Sequence, residues 1–252
     1  MSDTEQATLE SAKEQEQAPP PTPGLKMLFT LGGISMLAGF LVVLVFQFTA
    51  PIIAENQRIA IEKAVFQVVP GAAVQRDFLL DADGLKPGDN AAASGERIYV
   101  AYDEQGALKG IALKTEATGY QDVIRILYGY DPGCQCVTGI RILKMAETPG
   151  LGDKIATDPA FLENFKALDG ALNAAGDALA HAIVAVKHGN KTEPWQIDAI
   201  SGATISSNAI GRMINASGQR MFPLIQRHLG ELQQKGSESV LPTPTPAANG
   251  GQ

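Results

Sequence analysis

The sequence predicts an α+β chain: a single N-terminal transmembrane helix followed by one domain of mixed, mainly antiparallel strands and helices. Three observations carry this. From Leu25 to Phe48 the run LKMLFTLGGISMLAGFLVVLVFQF holds one charge, Lys26, at its edge, and about 20 apolar residues are what a helix needs to cross the hydrocarbon core of a bilayer. Short alternating runs then flank turn-forming residues, which is the pattern of half-buried strands joined in hairpins. Apolar residues return at helical spacing after Asp158 and again after Thr204.

Taken in order, residues 1–24 set Asp3, Glu5, Glu10, Glu14 and Glu16 against Lys13 and end in Pro19, Pro20, Pro21 and Pro23, so −4 of the chain's net −7 lies here. Such a stretch buries too little apolar surface to offset its ordering entropy, and it reads as a disordered tail. The membrane span is placed at residues 25–50. A cleaved signal peptide has a shorter apolar core, about 7–15 residues, behind a basic start, whereas here the preceding stretch is acidic. Orientation is not decided by charge, since Lys13 and Lys26 before the span balance Arg58 and Lys63 after it.

Residues 55–232 form the expected folded domain. Glu55 to Val69 reads as a helix continuing from the membrane, with Ile59, Ile61, Ala64, Val65 and Val68 apolar, closed by Pro70 and Gly71. Arg97 to Tyr102 and Leu108 to Thr115 read as a hairpin about Asp103 to Gly106. Val123 to Tyr130 and Val137 to Lys144 read as a second about Asp131, Pro132 and Gly133. Asp158 and Pro159 open a helix presenting Phe161, Leu162, Phe165 and Leu168. Ile183 to Val186 is a further strand, and Ile205, Ala209, Ile210, Met213 and Ile214 mark a last helix. Residues 233–252, rich in Pro, Gly, Ser and Thr, read as a second disordered tail.

Composition excludes some functions. An acidic balance with a pI near 5.0, and no stripe of Lys and Arg interleaved with aromatics along the sequence, makes nucleic acid a poor partner. Cys134 and Cys136 are too few for a disulfide framework, and His181, His188 and His228 are scattered. On one strand the two cysteines point to the same face and a bridge between them would be strained, so they read as structural or free thiols; a redox pair and a metal clip are the other readings.

Two segments could carry chemistry. Asp198 to Thr204 offers a strand-like approach, the small residues Ser201, Gly202 and Ala203, and the Thr204 hydroxyl at the mouth of a helix. Unpaired N–H groups and the positive end of the dipole favour an anion there. The competing reading is that Thr204 or Ser201 only caps the helix. Glu147 to Lys154 runs between strand and helix with Pro149, Gly150 and Gly152. Such a loop can lay backbone amides along a flat ring, or it is an ordinary turn.

Together the anchor, the Gly119-Tyr120 pair, ETPGLGDKI at Glu147 to Ile155 and DAISGATISS at Asp198 to Ser207, in this order, resemble the G subunit of Rnf-type ion-translocating ferredoxin:NAD oxidoreductases. The C subunit of the sodium-translocating NADH:quinone oxidoreductase is a related case. The resemblance implies an extracytoplasmic FMN-binding domain and a covalent FMN, joined by a phosphoester to Thr204. It implies that Ser201, Gly202 and Ala203 shape the phosphate cradle and that a separate flavin transferase, recognising Asp198 and the Ser-Gly-Ala-Thr core, makes the bond from FAD. Glu147, Thr148, Gly150, Leu151 and Gly152 would pack against the isoalloxazine ring, with Tyr120 and Trp195 as candidate walls or simple packing. Met145 departs from the family, whose members often have a histidine there. The implied role is a redox subunit not catalytic alone, relaying electrons coupled to Na⁺ or H⁺ translocation. Its partners would be the other complex subunits and membrane lipid. It would sit in the bacterial inner membrane as a single-pass protein, N-terminus cytoplasmic and FMN domain periplasmic. An anchored binding or scaffold domain without covalent flavin is the alternative from the residues alone, and a stand-alone flavin reductase or regulator is a third reading.

Overall fold

A computed structural model describes residues 24–88 and 94–237. Of the expected tails, 1–24 and 233–252, all but Gly24 and residues 233–237 lie outside the described residues. The chain divides after Glu55 into two compact units.

In the first unit the helix α1 (Gly24–Val68) begins. Its large apolar side chains are exposed, Phe29 at 76% and Met36 at 80%, and it is long and apolar enough to cross a membrane. Hydroxyls in this stretch turn back onto the helix: Thr30 Oγ1 donates to Lys26 O at 2.7 Å and Thr49 Oγ1 to Val45 O at 2.9 Å. This satisfies them where no water is available.

The second unit, from Asn56, contains the end of α1 and a seven-stranded sheet in the order β2-β1-β3-β4-β5-β6-β7. The strands are β1 (Val74–Asp81), β2 (Gly84–Pro87), β3 (Glu96–Tyr102), β4 (Leu108–Thr118), β5 (Val123–Asp131), β6 (Cys136–Lys144) and β7 (Leu168–Asp169). Every pairing in it is antiparallel. Both expected hairpins are present, β3 with β4 and β5 with β6. A parallel pair, β8 (Val184–Val186) and β9 (Gln196–Asp198), stands apart. The helices are α2 (Pro159–Glu163), α3 (Thr204–Arg227) and α4 (Leu229–Ser237).

Alternation along the strands buries both sheet faces. Ile98, Val100, Ile111, Leu113, Ile124, Ile126 and Tyr128 join Ile210, Met213, Ile214 and Phe222 of α3 in the main core. On the other face Tyr99, Ala101, Ala112 and Leu127 receive Ala64, Val65, Val68 and Val69. Two glycines let the end of α1 come this close. A Cβ at Gly129 would lie 2.1 Å from Val68 O, and one at Gly110 would lie 3.0 Å from Val69 Cγ1. Thr138 Oγ1 donates to the Val68 carbonyl that Gly129 admits.

The structure departs from the sequence reading in four places. β1 and β2 carry residues for which no element was expected. The helix after Asp158 has only five residues. Asp158 accepts from the amides of Ala160 and Phe161, but Leu168 has passed into β7. The folded domain continues beyond 232, because α4 runs to Ser237, Tyr102 Oη donates to Leu232 O at 2.7 Å and Gly236 packs on the Tyr102 ring. Cys134 and Cys136 are bonded to each other rather than free. They do not share a strand: Cys134 lies in the turn after Asp131, and the intervening Gln135 takes a left-handed φ of 52°. That backbone reversal removes the geometric objection to the bridge.

Candidate functional site

The site grows from three chain segments held by one carboxylate. Glu147 follows the end of β6 and is turned inward, 6% exposed. Its Oε1 accepts from the amides of Tyr120 at 3.1 Å and Gln121 at 3.2 Å, in the bend between β4 and β5. Its Oε2 accepts from Ser206 Oγ in the first turn of α3. A Cβ at Gly119 would fall 2.5 Å from Oε1, and one at Gly152 would fall 2.7 Å from Oε2, so both glycines are required for this approach. With both oxygens engaged, Glu147 ties the segments together.

From Glu147 the chain turns at Thr148 to Leu151, where Leu151 N–H donates to Thr148 O at 3.2 Å and Gly150 takes φ +78°. A 3₁₀ turn follows, Gly152–Ala156. The second segment leaves β9 and turns at Ile200 to Ala203, with Ala203 N–H donating to Ile200 O at 3.0 Å and Gly202 at φ +86°. Positive φ at the third position is what such a turn demands of a glycine. Ser207 stabilises this entry: its hydroxyl accepts from Ile200 N–H at 3.1 Å and donates to Ala203 O at 2.9 Å.

The helix α3 then begins at Thr204 without a side-chain cap; Ala203 holds the capping position. No described residue accepts from the amides of Thr204, Ile205 or Ser206. Three free N–H groups, the positive end of a 24-residue helix and an exposed Thr204 hydroxyl therefore meet at one place. Beside them is a cleft of about 480 Å³, lined by Tyr120, Glu147, Thr148, Leu151, Gly152 and Gly202 to Ser206. This is within the usual volume of a small-molecule site. Its walls are apolar at Leu151, Ile205 and Tyr120, and among the described residues no lysine or arginine lines it. Chemically it can take a flat ring between the loop and Tyr120 and an anion at the helix mouth.

Comparison with known proteins bears on what that ligand is. The FMN-binding domain family matches residues 119–218, a range that opens at Gly119 and encloses the loop, the turn and most of α3. The G subunit of the ion-translocating oxidoreductase complex of Methanosarcina acetivorans is 31% identical over 188 residues, covering 73% of this chain and 87% of that one. The chain belongs to this G-subunit family. Its Escherichia coli K12 relative, again a G subunit of the ion-translocating oxidoreductase complex, is 28% identical over 197 residues, covering 76% of this chain and 85% of that one. The crystal structure of Shewanella oneidensis NqrC superposes with a TM-score of 0.50 at 17% identity, covering 73% of this chain and 99% of that one, which establishes a shared fold.

Within this G-subunit fold the expected site residues separate into two groups. Thr204, Gly202, Ala203, Glu147, Thr148, Leu151, Gly152 and Tyr120 line one cleft. Gly150 supplies the turn but is not part of the lining. Trp195 is elsewhere: its ring stacks on His181 at 3.8 Å. Asp198 and Ser201 face a neighbouring cavity of about 190 Å³ with Lys154 and His188. There Asp198 accepts from Gly189 N–H at 2.7 Å and pairs with His188 Nδ1 at 3.2 Å. Sequence reasoning missed Ser206 and Ser207, whose helical spacing from Thr204 was legible but whose partners are distant in the chain. It also missed the inward role of Glu147, which no local signal announces.

Proposed function

We propose that this protein carries FMN covalently, through a phosphoester between Thr204 Oγ and the flavin phosphate, in a single-pass membrane protein that relays electrons within an ion-translocating oxidoreductase complex. The coarser part, a flavin-containing electron-transfer subunit of such a complex, follows from the family. The uncapped start of α3 carries the finer part, since it presents the Thr204 hydroxyl and three free amides to the same point. A capping role for Thr204 or Ser201 has no support there. FMN supplies reversible redox chemistry, and the chain supplies position, enclosure and polarity.

The absence of cations in the cleft fits an esterified phosphate. A free phosphate monoester carries about −1.5 to −2 at neutral pH, whereas the diester formed with Thr204 carries a single charge, closer to what a helix N-terminus of about half a positive charge balances. Gly202 lets the backbone approach, Leu151 and Ile205 shield the ring from water, and Glu147 keeps loop and helix in register. Attachment by a separate flavin transferase, coupling to Na⁺ or H⁺, and placement of the domain outside the cytoplasm complete the reading.

The protein made with and without a flavin transferase, then denatured, tests the bond. Expected are in-gel flavin fluorescence and a mass gain of one FMN minus one water at Thr204, both abolished by Thr204→Val. Native material that is colourless and of unmodified mass after denaturation overturns it in favour of an anchored scaffold.

A further inference from the structure

A second cavity, of about 420 Å³, lies between the end of α1 and the sheet, with Lys63, Lys114, Arg125, Arg141 and Lys144 in its lining. Five of the chain's 20 lysines and arginines meet here, and among the described residues no acidic side chain lines the cavity. In a chain of net −7 this is a strong local reversal of sign. Arg125 is paired with Glu116 at 2.6 Å, while no ion pair engages Lys63, Lys114, Arg141 or Lys144 among the described residues.

Strand register forces these charges together. Lys114 and Arg141 flank Leu127 in one cross-strand row, and Arg125 stands directly opposite Lys144 in another. Like charges facing across strands destabilise a sheet unless something neutralises them; Glu116, opposite Arg125 on β4, offsets one charge of that row and leaves Lys144, with Lys114 and Arg141, to be neutralised. Between the charges the walls are apolar, Ala60, Ile61 and Ala64 on the helix and Leu143 on β6. Cations above an apolar floor match a molecule with an anionic head and a hydrocarbon body. The helix that forms one wall is the same one that carries the exposed apolar run from Leu25.

We propose that this cavity binds the phosphate headgroup of an anionic phospholipid, with Lys114, Arg141 and Lys144 on the phosphate and the apolar wall beneath the glycerol and first methylenes. A lipid is favoured over free phosphate because free phosphate leaves the apolar wall without a partner. The proposal rests on α1 spanning a bilayer and not on the flavin bond.

The full chain, purified in mild detergent and offered equal dioleoyl-phosphatidylglycerol and dioleoyl-phosphatidylcholine, is read by native mass spectrometry. Retention of phosphatidylglycerol over phosphatidylcholine by roughly tenfold is expected, from the attraction of several basic side chains to an anionic headgroup. K114Q/R141Q/K144Q brings the ratio to within about twofold, while K26Q/R58Q, outside the lining, leaves it unchanged. Should the triple variant not fold, each single glutamine variant lowers the ratio by roughly twofold and the arginine-for-lysine variant K114R/K144R retains it. Flavin fluorescence on a denaturing gel stays as in the wild type, so failure here is separable from failure of the Thr204 bond. Equal retention of both lipids, a ratio unaffected by K114Q/R141Q/K144Q, or complete displacement of the lipid by millimolar inorganic phosphate overturns the proposal. So does loss of co-purifying complex subunits from the triple variant with lipid retention intact, which assigns the cations to a protein partner.

Discussion

Glu147 is a charged residue used as a bracket. Its carboxylate accepts two backbone amides from the bend between β4 and β5 and one hydroxyl from α3, and charge-assisted bonds of this kind are about twice as strong as neutral ones. Glu147→Ala leaves the part-buried amides of Tyr120 and Gln121 and the buried Ser206 hydroxyl without an acceptor, and about 2 kcal/mol of stability is expected to go, measured by urea unfolding. Glu147→Gln keeps the acceptor facing the amides and allows Ser206 to accept instead, so its loss is about 1 kcal/mol and flavin incorporation survives. Thr204, Gly202 and Leu151 could be named from the string alone, since Gly and hydroxyl residues at a helix mouth have a local physical meaning. The inward turn of Glu147 could not, because its partners lie 26 to 59 positions away. Trp195 shows the same limit: aromatic size suggested a wall, and only the fold reveals that His181 takes its face.

Among the elements, the junction of α1 with the sheet depends on side chains that are missing. Gly129 sits in a central strand, where glycine has poor propensity, yet Val68 O occupies the place its Cβ would need. Gly129→Ala is expected to lift the end of α1 from the sheet, with a loss of about 3 kcal/mol in urea unfolding. Gly150→Ala, whose surroundings are open, is limited to the strain of its positive φ, about 1 kcal/mol. The hairpins were legible because Asp103 to Gly106 and Asp131 to Gly133 combine turn chemistry with flanking alternation. β1 and β2 were not, although Phe78 and Leu80 are buried: Leu79 is buried as well, so the period-two pattern is broken at that point. The helix after Asp158 was overextended because Phe165 and Leu168 keep a helical spacing while serving the core from a turn and a strand.

For the whole molecule, pH bounds the stable range from both sides. A hydrogen bond from Lys86 to Asp81, and the Ala107 amide on Asp103, hold these carboxyls below their ordinary value. Their contribution is present above the unfolded value near 4 and is lost as pH falls through the folded one. Burial pushes the phenols of Tyr99, Tyr128 and Tyr130 up. Their contribution is present below about 10 and is lost as pH rises beyond it. Circular dichroism against pH is expected to show an acid limb below about 4 and an alkaline limb above about 10. With the exposed Tyr120 replaced by Phe, absorbance at the phenolate band should rise together with the alkaline unfolding and not before it.

The amino-acid order by itself determined the apolar helix, the strand pairs around strong turns, and the candidacy of Thr204 beside Ser201, Gly202 and Ala203, because each of these rests on residues adjacent in the chain. Tertiary structure alone decided that Asp198 and Ser201 face a different cavity, that Cys134 and Cys136 join across a left-handed Gln135, and that scattered lysines and arginines from α1, β4, β5 and β6 line one hollow. The reason is the same in every case: charge, burial and hydrogen bonding act through space, and strand register brings together residues that no local pattern connects.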